Sequence, residues 1–412
     1  MPERHDPTTP ILPPTGGRAT AGALLIVVAG VMPIHLTGAL APDLQREFGF
    51  GDAWLGVLVS LSFGVSAVMA APGGAFSDRA GPRTAMRVSA AFSAVGALAL
   101  AGAPTFAFLA LALLVASPGN GIAQGGSNVL IAEGVRVERR GVALGIKQSA
   151  VSVSTALSGV ASLVLVATLG WRWAYGVVVV VAVAAAIVVP DVRRGRPVPP
   201  PPTGPPPEVD VEAARLDAGV VRAATLTGFA GAAAVASIGS FLVRSAEAAD
   251  LAASTGRWVL TGGSVLLIVM RIGWGAIADT GRVDPARIVV ILLTGGTIGY
   301  LLLSTGTLAG FVVGAALAFG AGWAWPGLLF LALVRRFPTA AGRPSGQVQR
   351  GMFVGAMIGP FLFGVVADTV SFTVAWWMSA AWGLVAAAAA VGFLRAGAPT
   401  TVTPDPGSSP QD

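Results

Sequence analysis

The stretch "GGAFSDRAGPR", Gly73 to Arg83, packs an acid, two arginines and three glycines into eleven residues of a chain that is otherwise strongly apolar. A looser copy, "GWGAIADTGR", runs from Gly273 to Arg282. Charge gathered this tightly marks a place where the chain leaves an apolar phase for water, since an ion in hydrocarbon is costly. Two such places with matching glycines and acids call for one explanation.

Composition supplies the apolar phase. Of 412 residues, 54% are hydrophobic and 11% charged, against about a quarter charged in soluble domains, and the mean hydropathy is +0.76. Uncharged runs long enough to cross a hydrocarbon layer, about 18 residues or more, recur at 18–42, 52–76, 84–103, 105–131, 141–168, 171–190, 219–243, 254–278, 285–304, 306–333, 345–367 and 370–394. These twelve spans put both termini on one side. "ALA" at 39–41 has the look of a signal-peptidase site, but its apolar run is too long for a signal peptide and more spans follow. Only Arg46, Arg172, Arg244 and Arg257 then lie opposite the termini, and the other 22 of 26 cations share the termini's side. Cations favour the cytoplasmic side of a membrane, so both termini are expected in the cytoplasm and the membrane is expected to be the plasma membrane. The net charge of +6 reports orientation and implies no nucleic-acid partner. With no cysteine and two histidines, one of them His5 in a polar tail, no metal site is expected.

A proline-rich stretch, "RPVPPPPTGPPPEVD", lies in the long polar interruption of the chain and reads as an extended linker. The expected organisation is a tail (1–17), six spans (18–190), a linker (191–218), six spans (219–394) and a tail (395–412). Sliding one half on the other superposes Gly74 on Gly275, Asp78 on Asp279, Gly121 on Gly322, Gly126 on Gly327, Gly145 on Gly346 and Gln148 on Gln349, always at an offset of 201. A constant offset over several spans is an internal duplication. The fold class expected is all-α and integral to the membrane, two pseudo-symmetric bundles of six helices.

On these residues the opening stretch resembles the G-x-x-x-D-R-x-G-R-[RK] loop signature of the major facilitator superfamily, and the similarity spans residues 18 to 394. The sequence departs from the pattern at Pro82, and the second copy has Thr280 where Arg79 stands in the first. The resemblance implies that Gly74, Asp78, Arg79, Gly81 and Arg83, echoed by Gly275, Asp279 and Arg282, form a cytoplasmic latch between the halves. It also implies that spans 1, 4, 7 and 10 line a central path. Asp78 at the carboxyl end of its helix needs a partner in any case, because the helix dipole disfavours an anion there. A plain cytoplasmic turn is the simpler role for the same charges.

Polar residues inside spans face protein or water, not lipid. Asn120, Gln124 and Asn128 recur every four residues, which puts three amides on one face of span 4; they suit a solute path or contacts between helices. Trp325 stands opposite Gln124 in the repeat, with Trp323 nearby, either to stack on a ligand or to pack. His35, in the middle of span 1, can carry a proton near neutral pH, contact a substrate, or rest as a neutral packed group. Lys147, the only lysine, Arg271 and Arg350 are cations inside spans 5, 8 and 11 with no cation at the repeat-related position. Gln148 and Gln349 are their neighbours. Such cations suit a carboxylate or phosphate, or reach the membrane surface with their long side chains. The text around Arg271, "MRIGWGAIAD", resembles span 8 of the oxalate and formate antiporter branch and its monocarboxylate relatives, which implies a carboxylate ligand.

No Ser-His-Asp set can be assembled with one membrane histidine, and the sole lysine follows Ile146, so no Walker A loop is present. The chain is therefore expected to be no enzyme, to use no cofactor beyond a coupling proton or ion, and to act as a monomer in the bilayer on a small-molecule substrate. Secondary transport of a small organic anion, by uptake or exchange, is the leading expectation. One alternative is a proton-coupled exporter of drugs or hydrophobic metabolites. It is weakened because every acid falls at a span end, in a loop or in a tail, and because span 5 lacks the Gly-Pro pair such exporters carry there, a pair that occurs instead in span 11 as Gly359-Pro360. The other alternative is a non-transporting sensor or assembly protein of the same fold; a channel is disfavoured by the two-half plan.

Overall fold

The computed structural model describes residues 16–136, 139–192, 211–279, 282–337 and 342–396. The proline run, residues 193–210, and the outer parts of both tails lie outside the described residues. All regular structure among the described residues is helical. Twelve helices among them are long and apolar enough to cross a membrane: Gly16–Ala39, Asp52–Ala80, Pro82–Ala101, Phe106–Gly134, Ala143–Thr168, Trp171–Val188, Ala218–Ala248, Ala253–Ala278, Pro285–Leu303, Leu308–Leu333, Pro344–Thr369 and Phe372–Ala396. They are numbered spans 1 to 12. Span 7 is preceded by helix from Val211 onward, inside the stretch expected to be linker.

Local chemistry sets the ends. Span 2 stops at Gly81, whose φ of 87° few other residues adopt, and span 3 starts on Pro82, which fits a first helical turn because its missing N–H has no partner to lose there. That accounts for the departure from the loop signature at Pro82. Side chains of Thr105, Asp284 and Thr307 accept from the backbone N–H groups of Phe108, Ala286 and Gly310 and so cap spans 4, 9 and 10.

Three spans are interrupted. Span 5 breaks at Ser149 and span 7 at Ser237. Span 10 passes through a π turn, Ala318–Gly322, before restarting at Pro326. Pro326 has no N–H to offer the Gly322 carbonyl four residues back, and the Trp325 indole Nε1 donates to that oxygen instead, at 2.9 Å. Interrupted helices expose main-chain polar groups that interior sites use.

Inside each half the helices cross where glycine admits a neighbouring backbone; Gly74 on span 2 lies 3.9 Å, measured from a built Cβ, from the Cα of Gly125 on span 4. The halves meet mainly toward the face opposite the termini, called here the far face. There Gly38 of span 1 packs on the Ser240 backbone, Gly56 of span 2 on the Pro360 carbonyl and Gly364, and Gly159 of span 5 on Thr261. Toward the terminal face the same helices part: no described residue lies within 4 Å of the space a side chain at Gly145, Gly275 or Gly346 would fill. Among the described residues, the halves are in contact at the far face and separated at the terminal face.

Candidate functional site

Just inside the closed end, span 1 presents His35 to both halves. Its Nδ1 is 3.0 Å from Ser154 Oγ of span 5, and its ring meets Trp323 of span 10 edge-to-face, with centroids 6.3 Å apart. Gly239 of span 7 lies against the imidazole as well. His35 is 2% exposed, so it sits in the contact between the halves, away from lipid.

Nearer the terminal face lie the two interior cations. Lys147 is 5% exposed and donates to Asn128 Oδ1 at 3.2 Å. Arg271 donates from Nη1 to the Gln148 carbonyl at 2.7 Å and to Ser152 Oγ at 3.3 Å, and from Nη2 to the Trp323 carbonyl at 3.0 Å. Both carbonyls lie at helix interruptions, Gln148 at the break in span 5 and Trp323 just after the π turn of span 10. Neither cation forms an ion pair with an acid among the described residues. Each of these positive charges is held by neutral oxygens, an environment that an anion complements. Trp274, three residues along span 8 from Arg271, has a buried indole N–H with no partner among the described residues.

The other expected residues distribute around this group. Asn120 is 2% exposed with an unsatisfied Oδ1, Gln124 is half-buried, and Asn128 is exposed where it meets Lys147, so the amide stripe runs from packed interior to an exposed end. Trp325 is wholly buried with its ring on Gly231, inside its own half; Trp323, not Trp325, reaches across to span 1. Gln349 is half-buried and Arg350 is exposed on span 11, apart from Arg271 and Lys147. On the terminal face, Asp78 and Arg79 are exposed. Arg83 pairs with Asp191 at 3.4 Å, a tie within the first half. Gly281 lies outside the described residues, as does the side chain of Asp279; Arg282 follows them exposed.

A second set of charges was not anticipated. Each far-face arginine has an acidic partner, and two of the pairs join the halves: Arg257 with Asp43, and Arg244 with Asp52 at 3.3 Å. Arg46 pairs with Asp43 and Arg172 with Glu47. Gln45 Nε2 donates to Asp52 at 2.8 Å, and the Asp52 backbone N–H donates to Asp368 at 3.2 Å. A cavity of about 460 Å³ beside this cluster is lined by Asp52, Arg244, Asp368 and Trp376. The count of cations on each side held part of the signal, because only four stood on this face and acids lie beside Arg46 and Arg244 in sequence.

The Arg172 side chain, donating to Glu47, holds that carboxyl below its usual 4.5, burial opposes this, and the Trp171 indole adds to the lowering. A depressed folded-state pKa means the contact stabilises fully above the unfolded value and is lost as pH falls through the folded one. The unfolding temperature of the purified protein is therefore expected to fall as pH drops below 4.5, less steeply in Arg172→Gln; equal slopes would remove the contact from the account.

The comparisons agree with this architecture. The family model described as Major Facilitator Superfamily matches residues 22–349. No curated protein matches. Among solved structures, a D-xylose-proton symporter superposes with a TM-score of 0.74 at 15% identity, over 90% of this chain and 96% of that one. A bacterial homolog to the human lysosomal transporter Spinster, in an inward-facing and unoccupied conformation, superposes with a TM-score of 0.70 at 15% identity, over 94% of this chain and 98% of that one. At such identities the likeness is one of fold. With twelve spans and a family match over most of its length, the chain belongs to the Major Facilitator Superfamily and is a membrane-embedded secondary transporter, not an enzyme.

Proposed function

We propose that this transporter moves a small organic anion across the plasma membrane by alternating access, in uptake or exchange, with the terminal face in the cytoplasm. The observation that carries the proposal is the pair of interior cations, Lys147 and Arg271, both engaged only by neutral oxygens among the described residues. Removing a guanidinium from water without a counter-ion costs several kcal/mol in order of magnitude, and a carboxylate entering from the open terminal face offsets that cost. Arginine binds a carboxylate through paired N–H groups, so it supplies geometry as well as charge. The terminal face takes its cytoplasmic assignment from the cation bias of the loops. No cofactor or partner protein is needed for this activity, and a monomer contains the whole site.

Ligand-dependent thermal stabilisation tests the proposal, since a ligand of the folded state raises its stability by mass action. A panel of acetate, oxalate, succinate, a neutral sugar and a cationic drug is expected to show stabilisation by carboxylates alone. Stabilisation by the cationic drug alone would replace the anion assignment with drug export.

A further inference from the structure

Spans 5 and 8 run antiparallel along the seam between the halves, and their contacts keep one register. Gly159 faces Thr261, Thr155 Oγ1 accepts from Ser264 Oγ at 2.6 Å, and Gln148 accepts from Arg271. There the contact ends. Carried one turn further toward the terminal face, the same register sets Gly145 opposite Gly275, and no described residue lies within 4 Å of the space a side chain at either would fill. Leu144 and Ile146 beside them on span 5 are exposed. Two glycines in register on facing helices allow a close approach that this conformation does not use.

Arg271 sits where the closed part of the seam meets the open part. Its guanidinium ties span 8 to the Gln148 carbonyl and Ser152 of the first half while also holding the Trp323 carbonyl of its own half. Main-chain carbonyls are neutral acceptors. The guanidinium brings a charge to those bonds already; a carboxylate adds the opposite charge and accepts two parallel N–H bonds in fork geometry, so an anion can take the guanidinium from them. We propose that Arg271 is a substrate-sensing pin: a bound carboxylate displaces the Gln148 and Trp323 carbonyls, and spans 5 and 8 then close the terminal face by bringing Gly145 against Gly275. The pin rests on the anion assignment and adds to it how binding is coupled to the change of state.

The chain has no cysteine, so paired spin labels at Leu144→Cys and Ala276→Cys report the separation of the two spans without background. With acetate, oxalate or succinate as probe, the separation in the otherwise unaltered protein is expected to shorten. Arg271→Lys keeps the charge but presents a point charge in place of a planar fork; it is expected to be stabilised thermally by the same carboxylate with no carboxylate-dependent shortening. Gly275→Leu is expected to bind and to stay open. Shortening in Arg271→Lys equal to that of the parent, or binding to the parent with unchanged separation, overturns the pin and leaves the anion assignment standing. Closure in Gly275→Leu overturns the proposed register. If no carboxylate stabilises the parent, the anion assignment falls and the pin with it.

Discussion

Arg271→Gln is expected to lower carboxylate uptake into proteoliposomes by at least about thirtyfold at subsaturating substrate, because losing one partner of a desolvated, hydrogen-bonded charge pair costs about 2 kcal/mol or more. Glutamine can still donate to the Gln148 or Trp323 carbonyl, so the variant keeps part of the packing around those oxygens. It carries no charge, and so loses what a carboxylate would pair with. Lys147 would remain, held by Asn128, and leaves some residual affinity. Uptake is to be compared at equal amounts of folded, reconstituted protein. Uptake within about threefold of the parent, a change worth well under 1 kcal/mol, would make Arg271 a structural cross-link and no part of the substrate site.

The second large effect is expected at the far face. Asp43 and Arg257 are nearly buried, with side chains 11% and 10% exposed, and they join the two halves. Asp43→Asn leaves the Arg257 charge without its counter-ion in the closed arrangement, and breaking a buried pair in this way costs about 3 kcal/mol. Opening the far face returns Arg257 to water, so most of that cost falls on the closed state alone. The balance of states is then expected to move toward far-face opening by roughly a hundredfold. Ser264→Cys reads this directly, because Ser264 lies in the seam, fully buried against Thr155. A membrane-impermeant maleimide added from the far side should label Ser264→Cys much faster when Asp43→Asn is also present. Unchanged labelling would mean that the apolar seam at Gly38, Gly56 and Gly159 holds the far face by itself.

What the sequence made legible follows from which forces act locally. Span number and position rest on the length of apolar chain needed to cross a bilayer, a property of each segment alone, and the twelve observed helices fall close to the expected ones. The break in span 10 was also readable in principle, since Pro326 follows directly on "AGWAW". The breaks at Ser149 and Ser237 were not, because serine is tolerated inside membrane helices and nothing local demands an interruption.

The site was legible as residue types and not as partners. Arg271 and Lys147 stood out as cations inside apolar spans, but the acceptors of Arg271 are main-chain carbonyls, which no side chain advertises. Snorkelling to the membrane surface was the stronger reading of Lys147 from sequence; in the fold it is 5% exposed and directed to Asn128. The far-face pair of Asp43 and Arg257 joins residues 214 apart, and only the docking of the two halves brings them together. The repeat offset singled out Trp325, yet it is Trp323 that meets His35, because which one faces span 1 depends on the π turn that precedes them.

The most direct measurement is counterflow in proteoliposomes loaded with an unlabelled carboxylate and diluted into a trace of the same compound carrying a label. Anion transport by alternating access predicts transient, saturable accumulation of the labelled carboxylate above equilibrium, greatly reduced in Arg271→Gln. Accumulation of a cationic drug under the same protocol, with none for any carboxylate, would contradict it.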